Sequence, residues 1–383
     1  MSYYIDSATG THYPLTQARW CGDSGAPLSL GPSPVLRRGD IDTAERSVWR
    51  YAKALLVPRE AGIVSLGEGW TPLLDGAWAG AGVSLKLEFM MPTGSFKDRG
   101  MTVMMSYLKQ RGLTAVLEDS SGNAGASMAA YAAAAGMQAR ILVPETASFP
   151  KIAQIAAAGA DVITIPGSRQ DVADAALRHA GNIFYASHNW QAFFVEGTKT
   201  LAYELWEQMD FEVPDNVIVP LGYGSNVLGC ARGFAELRAA GEIDRVPRLY
   251  GVQAANCAPL FNAFEAGMET LVPTTVSTTV AEGIASQKPT HVRGILRATR
   301  ETNGAVVAVS EAEIIAALGT LARRGLYVEP TGATALAGLT QLLDRGKVRA
   351  KERTVVVLTG TGLKASERIG ELLGVGARLE GAT

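Results

Sequence analysis

Val217-Ile218-Val219-Pro220, followed at once by Leu221-Gly222-Tyr223-Gly224-Ser225-Asn226-Val227-Leu228-Gly229, decides how this chain folds. The first four residues form a continuous apolar, β-branched run with no polar alternation, the pattern of a strand buried on both faces. Closely spaced glycines then break the run, and a helix-length segment with few breakers, Ala231–Ala239, follows. Strand, glycine turn and helix in that order make half of a βαβ unit, in which the turn lies at the carboxyl end of the strand.

The same alternation continues outward in both directions from about Val83 onward. Strands are predicted at Val83–Leu87, Ala115–Glu118, Arg140–Val143, Val162–Ile165, Asn182–Tyr185, Leu249–Gln253, Ala305–Val309 and Thr354–Leu358. Helices are predicted between most of them, among them Met101–Gln110, Ala126–Ala135, Thr198–Met209, Glu311–Arg323 and Ala333–Leu343. Apolar strands joined by helices imply an α/β protein with parallel sheets covered on both faces. The first fifty-odd residues differ: they are rich in Gly, Pro and charge, with the breaker cluster Gly31-Pro32-Ser33-Pro34, and read as an extension wrapping the body.

Composition bounds the function. The 383 residues suffice for two or three domains at roughly 150 each. With 47% hydrophobic and 19% charged residues the chain is an ordinary globular protein, not a disordered or fibrous one. A net charge of −2 without a basic run removes the electrostatic footprint of a nucleic-acid or anionic-membrane binder. The start, Met1-Ser2-Tyr3-Tyr4-Ile5-Asp6, has no basic region leading into an apolar run, so no secretory signal is read there, and the uncharged stretch Ser120 to Gln138 is too rich in Ala, Ser, Gly and turn signals for a membrane span. Cys21, Cys230 and Cys257 are too few and too scattered for a disulfide framework or a thiolate metal site, and the expected compartment is the cytoplasm. His12, His179, His188 and His291 are scattered and read as surface or structural residues.

Four turns could carry chemistry. In Pro92-Thr93-Gly94-Ser95-Phe96-Lys97-Asp98-Arg99-Gly100 a lysine stands near a helix start beside Arg99, where the helix dipole and the neighbouring cation disfavour its charged form. A partly neutral lysine attacks carbonyls and forms a Schiff base; alone, the segment reads equally as a solvated Lys97–Asp98 ion pair. Asp119-Ser120-Ser121-Gly122-Asn123-Ala124-Gly125 presents converging donors at a helix start, suited to a carboxylate or phenolate oxygen, or serves as an ordinary cap. Gly222 to Gly229 lets backbone amides approach a phosphate. Val227 stands where G-x-G-x-x-G needs its last glycine and no acid ends the next strand, which argues against a nicotinamide dinucleotide. Leu358-Thr359-Gly360-Thr361-Gly362-Leu363-Lys364 lacks Walker spacing, but its hydroxyls can meet a ring nitrogen. An imine-forming lysine, a phosphate cradle, an Asn turn and a hydroxyl turn together match the aldehyde, phosphate, ring hydroxyl and ring nitrogen of pyridoxal 5'-phosphate.

These segments, with Gly67-Glu68-Gly69-Trp70-Thr71-Pro72-Leu73, Glu196-Gly197-Thr198-Lys199-Thr200 and Val328-Glu329-Pro330-Thr331, occur in the order seen in threonine synthases and threonine-synthase-like enzymes. The chain thus resembles, from about Ser65 to Arg368, the fold type II (tryptophan-synthase-β-like) pyridoxal-phosphate enzymes. The resemblance implies two open, mostly parallel sheets flanked by helices, with the cofactor in an interdomain cleft. It implies a large domain of residues 61–90 and 201–383, a small mobile domain of residues 91–200, and an extension, residues 1–60, whose Trp20-Cys21-Gly22-Asp23-Ser24-Gly25 looks like a zinc ribbon that has lost its other cysteines, so that no metal is expected.

By the same resemblance Lys97 is the Schiff-base lysine and Phe96 its neighbour at the cofactor. Asn123 meets the ring hydroxyl, Gly222, Tyr223, Gly224, Ser225 and Asn226 hold the phosphate, and Thr359 meets the ring nitrogen. Ser120, Ser121, Gly122 and Gln191 are the substrate residues. An amino-acid lyase acting on a small substrate is implied, threonine synthase first. Serine or threonine dehydratase, diaminopropionate ammonia-lyase and cysteate-synthase-like chemistry are alternatives, as is a non-catalytic metabolite binder, against which the intact Lys97 speaks. A homodimer is implied as well. The chain departs from the threonine synthase pattern in three places: the phosphate loop does not read Gly-Asn-Ala-Gly-Asn, Phe194 stands where an Arg for the substrate's phosphate aligns, and Thr361 replaces a common His. A Phe193-Phe194 pair in the substrate pocket would favour the eliminating or replacing enzymes.

Overall fold

A computed structural model of the chain describes residues 2–147, 149–167 and 169–375. The chain divides into two compact units. The first is built from residues up to Trp70, Met91–Glu204 and Arg232–Asp244, the second from Thr71–Met90, Leu205–Ala231 and the residues from Arg245 onward.

In the first unit the N-terminal segment does more than wrap. Three short strands, β1 (Tyr3–Asp6), β2 (His12–Pro14) and β3 (Leu28–Leu30), form an antiparallel sheet in the order β2-β1-β3. It is absent from the sequence reading because strands of three or four residues in Gly- and Pro-rich surroundings carry almost no periodicity. In chain order, the second unit next supplies the hairpin β4 (Leu73–Trp78) and β5 (Ala81–Lys86). The first unit then continues with α1 (Lys97–Gln110), β6 (Ala115–Glu118), α2 (Asn123–Ala135), β7 (Gln138–Pro144), α3 (Phe149–Ala157), β8 (Asp161–Ile165), α4 (Arg169–His179), β9 (Phe184–Tyr185), α5 (Ala192–Thr198) and α6 (Thr200–Gln208), whose last turn passes into the second unit. Strands β8-β7-β6-β9 make a four-stranded parallel sheet.

Helix α1 is the hub, buried from Asp98 to Leu108. The N-terminal segment clads it: the Trp49 indole donates to Thr102 Oγ1 at 2.9 Å, the Val64 amide to Ser106 Oγ at 2.8 Å, and the Tyr4 hydroxyl to the Tyr107 hydroxyl at 2.9 Å. These three pairings spare the groups they join a desolvation cost of about 1–3 kcal/mol apiece.

The second unit is one six-stranded sheet, β12-β11-β10-β13-β5-β4. It adds β10 (Asn216–Pro220), α7 (Ser225–Ala239, of which residues from Arg232 belong to the first unit), β11 (Arg248–Ala254), α8 (Pro259–Glu265), α9 (Val292–Glu301), β12 (Ala305–Val309), α10 (Glu311–Arg323), α11 (Pro330–Asp344), β13 (Thr354–Val357) and α12 (Ser366–Leu372). All pairings are parallel except β4–β5. Every residue of β10 and β13 is buried, as a continuous apolar run in a covered parallel sheet requires. The β4–β5 hairpin turns on Ala79-Gly80, both with positive φ (46° and 81°), the sign that a two-residue I′ turn demands.

Candidate active site

Lys97 is the first residue of α1, and the fold anchors the residues on either side of it. Asp98 is fully buried. It accepts from the Thr93 amide at 2.7 Å, the Thr93 hydroxyl at 2.5 Å and the Ser127 hydroxyl of α2 at 2.6 Å, so it ties the turn before Lys97 to the next helix. A solvated ion pair on a first helical turn is therefore not what Asp98 makes. Arg99 is also fully buried and holds Glu204 in a two-pronged pair, with Nη1 and Nη2 2.8 and 2.7 Å from its carboxylate oxygens. This corrects one expectation: the Arg99 charge is met by Glu204 and is not an open cation acting on Lys97.

The Lys97 Nζ stands 4.7 Å from the Phe96 ring centroid and 5.6 Å from that of Phe194. Phe194 packs so tightly on α1 that a Cβ added to Gly100 would lie 2.6 Å from its ring. Gly100→Ala is expected to push Phe194 off Lys97 and lower stability by about 1–3 kcal/mol; urea denaturation measures it, and an unchanged midpoint would show the ring yields freely. Phe193 does not join Phe194. Successive helical residues point about 100° apart, and Phe193 turns into the core, stacked on Tyr107 at 3.7 Å and edge-on to Tyr4. The expected aromatic pair in a substrate pocket is thereby reduced to Phe194.

Strand β6 feeds the second turn of this unit. Ser120, Ser121, Gly122 and Asn123 are all partly exposed at its carboxyl end, with the Gly122 amide donating to Ser120 Oγ at 3.3 Å and Asn123 opening α2. Behind them lies a buried network that sequence reading missed. Glu118 accepts from the His188 amide at 3.1 Å and lies 3.2 Å from His188 Nδ1, while Asp119 accepts from the Ser187 and Tyr185 hydroxyls at 2.9 and 3.0 Å. Burial, with the Asp119 charge adding to it, pushes the Tyr185 phenol well above its usual pKa, so it stays a donor. His188, read from the sequence as a surface or structural residue, lies buried in this network. Its signal was the β6–β9 pairing, which places residues after 117 and 185 side by side and which no local pattern announces. Gln191 is buried as well, accepting from the Phe193 amide at 3.0 Å and donating to the Arg19 carbonyl at 3.0 Å; both ends of its amide cap α5 and hold the N-terminal segment.

In the second unit, β10 and β13 are adjacent, so their carboxyl ends bring two predicted turns to one crest. The first is Gly222 to Asn226, running into the amino end of α7. Gly224 has φ +83°, a conformation that favours glycine, and a Cβ on Gly222 would lie 3.0 Å from Ile284 Cα, so both positions require glycine. The second turn carries Thr359, 2% exposed, whose Oγ1 has no hydrogen-bond partner among the described residues; Asn226 Oδ1 in the first turn is in the same state. A buried hydroxyl left so is costly unless a ligand meets it. Beside it Thr361, where the resemblance expects His, accepts from the Leu363 amide at 3.3 Å and caps a helical turn. The glycine turn at the amino end of α7 and the orphaned hydroxyl of Thr359 fit the phosphate and ring nitrogen of pyridoxal phosphate.

A family profile described as "Pyridoxal-phosphate dependent enzyme" matches residues 64–360. The chain is 38% identical over 328 residues to a threonine synthase of Methanocaldococcus jannaschii, covering 84% of this chain and 81% of that protein. It is 36% identical over 332 residues to a threonine synthase of Methanosarcina acetivorans, again covering 84% and 81%. The solved structure of a processed threonine deaminase isoform 2 from Solanum lycopersicum superposes with a TM-score of 0.68 over 91% of this chain and 98% of that one; at 23% identity that likeness speaks to the fold. Among the described residues no helix is long and apolar enough to cross a membrane.

Proposed function

The chain belongs to the pyridoxal-phosphate-dependent enzyme family, and on that premise we propose that it converts O-phospho-L-homoserine and water into L-threonine and phosphate in the cytoplasm, as a homodimer. It is a lyase that uses pyridoxal phosphate. The reaction is carried over from the relatives named threonine synthase. The observation that most supports the cofactor assignment is the Thr359 hydroxyl, buried at a strand end with no hydrogen-bond partner among the described residues.

Pyridoxal phosphate supplies an aldehyde that takes up the substrate amine and a ring that draws electrons from the substrate's Cα. In the proposed assignment, Lys97 binds that aldehyde at rest and then moves the Cα proton on its Nζ. Phe96 and Phe194 keep water from the amine while it does so. Asn123 holds the ring hydroxyl, and the amides of Gly222 to Asn226 hold the phosphate at the amino end of α7. Ser120, Ser121 and Gly122 receive the substrate carboxylate at the amino end of α2. Thr359 is uncharged and cannot hold a protonated ring nitrogen as a carboxylate would, which steers chemistry toward loss of a group at Cβ or Cγ.

Release of inorganic phosphate from O-phospho-L-homoserine by the purified protein with pyridoxal phosphate tests the reaction. Threonine as co-product is the expected outcome. A protein that carries the lysine imine but releases nothing overturns it. Thr359→Ala tests the cofactor contact separately: loss of one hydrogen bond should weaken pyridoxal phosphate retention by about 2–10-fold, read by equilibrium dialysis, and undiminished retention would remove Thr359 from the site.

A further inference from the structure

One buried carboxylate holds His188 twice. The His188 amide donates to Glu118 Oε2 at 3.1 Å, and its ring Nδ1 lies 3.2 Å from each oxygen of the same carboxylate, so main chain and ring are tied to one group. Glu118 is itself fully buried at the end of β6, where it also accepts from the Asp119 amide at 3.0 Å and the Ser187 hydroxyl at 3.4 Å. Two amides and a hydroxyl already meet this carboxylate. What the imidazole adds is a ring held in one setting.

That ring meets Phe194 edge-on, with centroids 5.5 Å apart and planes at 66°, inside the range of about 4.5–7 Å that favours aromatic pairs. Phe194 is fully buried and also packs on α1 at Gly100, where a Cβ would lie 2.6 Å from its ring carbons. Lys97 and Gly100 stand one turn apart on α1 and share a face of the helix. The Lys97 Nζ lies 5.6 Å from the centre of the same Phe194 ring. Phe194 therefore lies across the first turn of α1, with His188 against it from the segment after β9. Glu118, His188, Phe194 and Lys97 stand in series, and all four belong to the first unit.

A ring favours a cation near its face only while the two stay within about 6 Å. Play in the Phe194 ring would change both its hold on the Lys97 amine and the access of water to that amine. Gly100 gives the ring a slot but no side chain to grip it; His188 gives it an edge, fixed by a carboxylate 70 positions earlier in the chain. We propose that His188 is a positioning residue: held by Glu118, it keeps the Phe194 ring over Lys97 and thereby sets the reactivity of the Lys97 amine. Its consequence for catalysis rests on the reading above, in which Lys97 carries the cofactor.

Competitive acetylation of the full chain, freed of cofactor, reads the Lys97 amine by peptide mass, with the fully buried Lys199 of the same unit as internal control. His188→Asn keeps a donor for Glu118 but has no ring. Lys97 is expected to acetylate about 3–10-fold faster in it, Lys199 at its wild-type rate, and in the holoenzyme hydroxylamine should bleach the lysine imine faster by a similar factor. Phe194→Leu should speed Lys97 equally and the double variant no further, because both changes remove one contact. His188→Phe restores an edge for Phe194 and should return Lys97 to within about twofold of wild type; His188→Gln takes the place of His188→Asn should that variant not fold. An unchanged rate in either measurement, additive effects, an equal rise at Lys199, or His188→Phe behaving as His188→Asn overturns the proposal. The reading beneath it fails differently: if borohydride fixes the cofactor to another lysine, Lys97 is not its anchor, and if no phosphate is released the protein is no threonine synthase, while acetylation by itself still judges His188.

Discussion

Lys97→Ala is expected to abolish phosphate release from O-phospho-L-homoserine, by roughly 10³-fold or more, and to erase the imine absorbance of the bound cofactor. The size of the effect follows from asking one amine both to anchor the cofactor and to move the Cα proton. The variant should nonetheless fold, because the anchors of this segment are its neighbours. Asp98 keeps Thr93 and Ser127, and Arg99 keeps Glu204. The Lys97 side chain itself is only partly buried. An unchanged thermal midpoint beside lost activity therefore separates chemistry from stability. Phosphate release within tenfold of wild type would remove Lys97 from the reaction.

The largest loss of stability is expected from Arg99→Ala or Glu204→Ala, about 3–5 kcal/mol each, because either leaves a fully buried charge without its partner. That is a large share of the 5–15 kcal/mol that holds most domains folded. Glu204 also accepts from the Trp70 amide at 2.8 Å, so its removal frees the segment carrying the Gly67-Glu68-Gly69-Trp70 motif as well. The double replacement Arg99→Met with Glu204→Leu should recover most of the loss, since removing both charges ends the desolvation penalty that each single change exposes. Denaturant unfolding of the four proteins gives the answer. Single variants within about 1 kcal/mol of wild type would mean that water reaches the pair.

Local pattern was most informative where the chain is simplest. Ala115–Glu118, Ala305–Val309 and Glu311–Arg323 have the predicted limits, each an uninterrupted apolar run or a capped, periodic helix. The capping box of Ser310 and Glu313 is local chemistry and marks the start of α10 in the sequence itself. Helix α1, by contrast, begins four residues ahead of the predicted Met101. Lys97-Asp98-Arg99-Gly100 has poor helical pattern, and what holds it helical is Asp98 and Arg99 reaching to Thr93, Ser127 and Glu204. Strand β4 was missed for a related reason. Asp75 and Gly76 are poor strand formers, and the strand exists because β5 pairs with it.

The α/β class, the order of strand and helix, and the four turns with their lysine, asparagine, glycines and threonine were legible in the chain, because each depends on residues within one or two turns of one another. The company those turns keep was not. That Arg99 is neutralised by Glu204, that Phe193 and Phe194 part ways, and that His188 lies behind the Ser120 turn all depend on residues tens to a hundred positions apart. Such pairings arise from close packing, which selects partners by shape and by the cost of leaving a buried polar group alone, and neither is written in any short stretch of sequence.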